Sequence, residues 1–179
     1  MKLQFTSFAV LATALVFALP AMAGEKFEPK YQFIQVKQFD VQPGVDLPPD
    51  YQVAIVEDLV KKLSKVKGVK QVLREGEALP EGQPVLLVTG TVTKFKKGNQ
   101  AERYLVGFGA GETLIEAHIN CYDANSKTLL LEHKVDGRVA IGIMGGKSES
   151  ANGGLANEIT GQIKDNFYSR DAKPPSSGN

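Results

Sequence analysis

The chain has 179 residues, with 21 basic and 20 acidic side chains, a formal charge of +1 at pH 7, one cysteine and two histidines. That length suits one domain with its own core, and near-neutrality removes the electrostatic footprint that nucleic acid or an anionic membrane surface requires. A single thiol excludes an internal disulfide, so apolar burial must hold the fold, and two histidines leave little for imidazole-based catalysis or metal binding.

Met1 to Ala23 has the parts of a secretory signal peptide. Lys2 lies in a short n-region, an apolar h-region runs from Phe8 to Leu19, Pro20 breaks the helix, and Ala21-Met22-Ala23 offers small residues to a peptidase. Cleavage before Gly24 is expected, giving a periplasmic or secreted protein. The apolar run is short for a hydrocarbon core ~30 Å thick, and no later segment is long and apolar enough to span one. The residue after the cut is Gly24 and not a cysteine, so lipid attachment there is not available. Residues 24–170 read as a single domain, and the tail 171–179 (DAKPPSSGN), rich in Pro, Ser and Gly, as disordered.

Within the domain, Tyr31 to Phe39 (YQFIQVKQF) is rich in β-formers and predicts a first strand. Pro43, Gly44, Pro48 and Pro49 then interrupt regular structure. Asp50 stands where an N-cap belongs, and Ile55, Val56, Leu59, Val60, Leu63 and Val66 recur at helical spacing to about Lys65. Gly68 closes the helix, and its lysines read as a solvated face. Val69 to Leu73 is a short strand, Gly76 to Pro84 a loop, and Val85 to Phe95 (VLLVTGTVTKF) the best central strand, with Gly90 as a bulge. A further short strand is expected near Tyr104 to Val106.

Two alternating runs follow. Thr113, Ile115, Ala117, Ile119 and Cys121 share one face. Leu129, Leu131, His133 and Val135 alternate with Leu130, Glu132 and Lys134 across a turn. Setting Ala117 opposite Leu131 and Ile119 opposite Leu129 aligns the apolar sets and predicts a tight loop, Asp123-Ala124-Asn125, with Asn125 left-handed. In that register His133 shares the core side with Leu131 and His118 points the other way, so the two do not share a metal ion. Cys121 reads as a small core residue. Gly137 to Gly154 is a glycine-rich segment, after which Leu155, Ile159, Ile163 and Phe167 form one helical stripe. The order β-α-β-β-β-β-β-α predicts an α+β fold: a mainly antiparallel sheet with two helices packed on one face.

These elements, with Arg103 ahead of the run Gly107-Phe108-Gly109-Ala110-Gly111, Tyr122-Asp123 at the hairpin turn and a glycine-rich stretch before the last helix, resemble the bacterial domain-of-unknown-function family 4410. The resemblance spans roughly Tyr31 to Phe167. It implies a small exported envelope protein, often a lipoprotein, and carries over no established activity. This chain lacks the lipidated cysteine, so the resemblance does not extend to membrane anchoring. The layout is also similar, at the level of fold, to periplasmic domains of curli-secretion and penicillin-binding-protein-activator lipoproteins.

The glycine run is not a phosphate cradle, because a strand pattern follows it and its spacing is not the dinucleotide fingerprint. Two apolar glycine-rich runs, 107–111 and 141–146, flank the hairpin at the end away from Asp123. Phe108, Gly109, Gly111, Ile141, Ile143 and Met144 are therefore the candidates for a partner-binding surface, set against the plainer reading that they fill the core. Arg103 is placed either to pair with Glu112 or to receive an anionic group, pairing being the plainer use. No catalytic motif, metal or cofactor is expected. The leading functional expectation is a non-enzymatic envelope module that binds a protein partner or supports an assembly in the periplasm. The alternatives are a small-ligand carrier with a pocket between sheet and helices, and an uncharacterised hydrolase with a displaced carboxylate or histidine pKa in a cleft.

Overall fold

The computed structural model describes residues 28–98, 113–139 and 149–169. The signal segment, the strand expected near Tyr104 to Val106 and the tail 171–179 lie outside the described residues.

The first predicted strand is divided in two, β1 (Phe33–Val36) and β2 (Asp40–Val41), both running parallel to β4 (Val85–Lys96). Val36 pairs with Val88 and Asp40 with Thr91, so three residues on one side face two on the other. The surplus turns Phe39 into the core, where it is fully buried. Gly90 makes that room: a Cβ there would lie only 2.4 Å from the Phe39 ring. Gly90 is therefore a point of close approach and not the expected bulge. The irregularity in β4 lies at Thr93, between Val92 and Lys94.

Helix α1 (Pro49–Leu63) follows. Asp50 was the expected N-cap, but Pro48 occupies that position in an extended conformation and Pro49 enters the first turn. A first-turn proline gives up an N–H that has no intrahelical acceptor, and Asp50 then favours the positive end of the helix dipole from within that turn. Ile55, Leu59, Val60 and Leu63 are buried as their spacing predicts. Gly68, at φ +99°, makes the turn into β3 (Gln71–Arg74).

The sheet order is β3-β1-β4-β5-β6, with β5 at Thr113–Asp123 and β6 at Leu129–Val139. It is mixed: β3, β1 and β4 are parallel, whereas β4, β5 and β6 are antiparallel. The expected mainly antiparallel sheet is corrected on this arm. The connection through α1 is a crossover that returns the chain beside β1 in the same direction, and residues 75–84 carry it past β1 to β4.

The β5–β6 hairpin keeps the predicted faces but not the predicted partners. Ala117 pairs with Val135, Ile119 with His133 and Cys121 with Leu131, four residues beyond the expected register. An even shift leaves every side chain on its own face, so alternation cannot choose between these registers. The turn chooses. Asp123 Oδ1 accepts the N–H groups of Asn125 (3.0 Å) and Ser126 (3.1 Å), Thr128 accepts from Asp123 N–H, and Lys127, not Asn125, takes the left-handed conformation at φ 60°. The loop is correspondingly longer. A bulge at Leu130 also puts Leu129, expected on the core face, at 44% exposure.

The last helix, α2 (Glu149–Phe167), starts earlier than its stripe and takes Gly153 and Gly154 into its first turns. A helical glycine costs about 1 kcal/mol, less than one fully buried Leu or Ile returns at ~1.5–3 kcal/mol. Leu155, Ile159 and Ile163 are fully buried. α1 packs on β1 and β3, α2 on β5 and β6, and the helices meet. A single core joins Ile34, Val36, Val88, Ile115 and Ile119 of the sheet to Leu59, Leu63, Ile159 and Ile163 of the helices.

Candidate functional site

The seven residues singled out by sequence, Arg103, Phe108, Gly109, Gly111, Ile141, Ile143 and Met144, lie outside the described residues. The described residues show where their two segments attach. Segment 99–112 joins β4 to β5, and segment 140–148 joins β6 to α2. Lys96 pairs with Leu114 across β4–β5, and Thr113 pairs with Val139 across β5–β6. Both segments therefore leave neighbouring strands at one end of the sheet, as the hairpin argument expected.

That end is firmly built. Thr113 is 6% exposed, and its Oγ1 accepts the Gly98 N–H at 3.0 Å, closing the departure of the first segment. Tyr51, in the first turn of α1, packs edge-on against Phe95 of β4 at 5.1 Å between ring centres. Gln52 Nε2 donates to the Phe39 carbonyl at 2.6 Å. Under β6, Gly137 admits the helix: a Cβ there would lie 2.5 Å from Leu155 N. The N-terminal turns of α2 thus rest directly on the strand that feeds them.

On the outward face of the sheet, Glu116 bridges Lys94 (3.0 Å) on β4 and Lys134 (3.4 Å) on β6. The hydrogen bond from Lys94 and the charge of Lys134 hold its carboxyl below the usual range. At the opposite end of the sheet, Asp123 Oδ2 accepts from Tyr31 OH (2.9 Å) and Lys30 Nζ (3.4 Å). The Ser126 N–H, with Tyr31, Asn125 and Lys30 assisting, brings its carboxyl down to about 2. Tyr31 is fixed further by the edge of Phe167 and by Tyr168, whose OH donates to the Tyr31 carbonyl at 2.6 Å.

The remaining candidate chemistry is dispersed. His118 is exposed on the outward face, and His133 is half-buried on the helix side opposite Ile119. Cys121 is fully buried, and burial pushes its thiol up to about 12. Glu57, Glu116 and Asp123, the carboxylates with displaced ionisation among the described residues, all move toward the charged form through their donors. A general acid at neutral pH needs the opposite displacement. No group of three or more His, Cys, Asp or Glu side chains able to hold a metal ion occurs among the described residues. Nor, among them, is any helix long and apolar enough to cross a membrane.

Two surface grooves flank α1. One, of 530 Å³, runs past Glu57, Asp58, Lys61, Lys62 and Lys65 toward Gly153, and Lys62 Nζ donates across it to Asn157 Oδ1 at 2.6 Å. The other, of 200 Å³, lies between Val53 and Arg74, where the Arg74 guanidinium is held by Glu57 at 2.7 Å and Glu77 at 3.6 Å. Sequence reading passed over Arg74. Its partner Glu57 sits on a helix face read as solvated, and their meeting depends on the crossover that brings β3 under α1.

No curated protein matches the chain. Among solved structures, the chain is similar to PelC from Paraburkholderia phytofirmans, described as a dodecamer. The TM-score is 0.53 at 12% identity, over 73% of this chain and 88% of that one. A substituted PelC dodecamer from the same organism gives 0.52 at 11% identity, over 74% and 87%. A hypothetical protein from Chlamydia trachomatis gives 0.49 at 10% identity, over 75% and 96%. At these identities the likeness is one of fold. The family model described as Domain of unknown function (DUF4410) matches residues 46–142, more than half of the chain, and the protein belongs to that family.

Proposed function

We propose that this protein is an exported, non-enzymatic module of the cell envelope that binds a protein partner or supports an assembly in the periplasm. The observation that carries the reading is the attachment of two glycine-rich, apolar connections to adjoining strand ends, over a base braced by Thr113, Tyr51–Phe95 and Gly137–Leu155. Apolar side chains on such connections supply contact area and glycines supply adaptability. The signal-peptide pattern supports placement outside the cytoplasm, and the likeness to a chain that forms a dodecamer supports assembly. On this reading Phe108, Ile141, Ile143 and Met144 supply the contact with the partner.

The test is in-cell crosslinking from a photoreactive amino acid placed at Phe108 and, separately, at Met144, combined with fractionation and N-terminal sequencing. The expected result is a discrete crosslinked band from a periplasmic protein that begins at Gly24. A folded, exported protein that crosslinks from neither position would assign both residues to the core. A protein retained in the cytoplasm would remove the envelope reading altogether.

A further inference from the structure

The near-zero net charge is an average over blocks of opposite sign, and the electrostatic footprint that the average removes returns locally. Between Leu59 and Arg74 the chain carries five lysines, one arginine and no acid. Lys61 and Lys62 stand in the last turn of α1, Lys65 and Lys67 in the turn that follows, and Lys70 one residue before β3. That turn is seated where the described chain starts and α2 finishes. A Cβ on Gly68 would lie 2.7 Å from Pro29 and 3.7 Å from Tyr168, and the Lys70 N–H donates to the Gln32 carbonyl at 2.7 Å. The five lysines thus gather at the end of the molecule opposite the glycine-rich connections.

Little at this end neutralises them. Lys61, Lys65, Lys67 and Lys70 are exposed and, among the described residues, make no ion pair. Lys62 donates to the neutral amide of Asn157, and Arg74, at the far end of β3, is engaged by Glu57 and Glu77. Asp123 is occupied by Tyr31, Lys30 and its own turn, which leaves Glu28, Glu81 and Asp165 as the other described acids toward this end. Residues 24–27 and 170–179 hold Glu25 and Asp171 against Lys26, Arg170 and Lys173, so on balance they add no negative charge. The helix dipole accounts for Lys61 and Lys62, since cations in a last turn offset it. Its effect fades beyond that turn, so it does not account for Lys67 and Lys70.

The residue type says which anion fits. From Leu59 to Lys70 there is no arginine and no aromatic side chain. Protein interfaces deplete lysine and anchor on Trp, Tyr and Arg in desolvated pockets, and a fixed carboxylate is best held by the planar fork of Arg. Hydrated point charges on long flexible stems suit an array of mobile phosphate headgroups instead, to which a cluster of this size is drawn.

We propose that this end of the molecule rests on a bilayer surface containing anionic phospholipid, held through Lys61, Lys65, Lys67 and Lys70 without insertion. The contact lies at the opposite end from the proposed partner-binding residues and does not depend on them.

The test is sedimentation of the purified mature chain with vesicles of phosphatidylcholine alone and of phosphatidylcholine with an equal part of phosphatidylglycerol. The chain is expected to bind only the anionic vesicles and to be released as added salt screens the contact. Lys65→Gln, Lys67→Gln and Lys70→Gln combined are expected to weaken binding by roughly fivefold for each lysine, on the order of a hundredfold together. Lys96→Gln with Lys97→Gln, exposed lysines at the other end of the sheet, is expected to bind as the parent does. Circular dichroism verifies that each variant is folded. Absence of binding to the anionic vesicles at low salt overturns the proposal, as does binding that survives the triple substitution or falls equally in the Lys96–Lys97 pair. A parent that ignores both vesicles but loses a discrete in-cell crosslink to an acidic protein on the triple substitution transfers the patch to that protein and overturns the lipid contact. None of these results bears on photocrosslinking from 108 or 144, so the partner-binding reading stands or falls separately.

Discussion

Asp123 gathers four donors on one carboxylate: two backbone N–H groups of its own turn, the Tyr31 phenol and the Lys30 ammonium. The first two shape the hairpin loop, and the other two tie the start of the domain to it. Because the folded-state pKa lies near 2, below the ordinary aspartate value of about 3.9, its contribution is fully present above that value and is lost as pH falls toward 2. Urea titrations between pH 5 and pH 2 are expected to show a loss of stability that Asp123→Ala, already lacking the contribution, does not share. At neutral pH Asp123→Ala is expected to cost about 1–3 kcal/mol, since the Tyr31 hydroxyl and two turn amides lose their acceptor together. A titration of the variant that parallels that of the parent would assign the acid sensitivity elsewhere. Cys121 offers the opposite case, a group raised by burial with nothing to ionise for. Its thiol is expected to resist labelling in native buffer and to react promptly in denaturant. Rapid native labelling would mean that the β5 face opens on its own.

Among the elements, α2 depends on one missing side chain. Its backbone at Leu155 sits where a Cβ on Gly137 would be, with Leu155 N, Cβ and Cα all within 2.8 Å of that point. Gly137→Ala must therefore lift the helix or bend β6, at a cost of about 1–3 kcal/mol. Hydrogen exchange is the measurement: amides of 155–167 are expected to exchange faster while those of β4 keep their protection. Uniform acceleration would instead mean that helix and sheet open as one unit. These close approaches mark what local pattern does and does not convey. The stripe Leu155–Ile159–Ile163–Phe167 and the alternation along β5 were legible because each has a period, and burial follows period. Hairpin register was not, since its faces survive any even shift and only the donors around Asp123 distinguish the choices. The parallel arm was not legible either, because strand direction belongs to the crossovers and neither β1 nor β3 carries a mark of it. Gly90 and Gly137 were visible as glycines, but their purpose lay in Phe39 and Leu155, distant in sequence. For the candidate site, the attachment of its two connections at one end of the sheet followed from the hairpin alone, whereas the bracing by Thr113, Tyr51 and Phe95 required the fold.

The whole molecule has two unlike ends. One collects the start of the described chain, the hairpin turn and the end of α2 through Tyr31, Asp123, Phe167 and Tyr168. The other releases the two glycine-rich connections. β5 runs the full distance between them, and its eleven residues span about 35 Å at ~3.3 Å each. The length of one strand therefore separates the carboxylate that gathers the start of the described chain from the strand ends at which the two connections begin, so a substitution at Asp123 and one at Thr113 are expected to act independently.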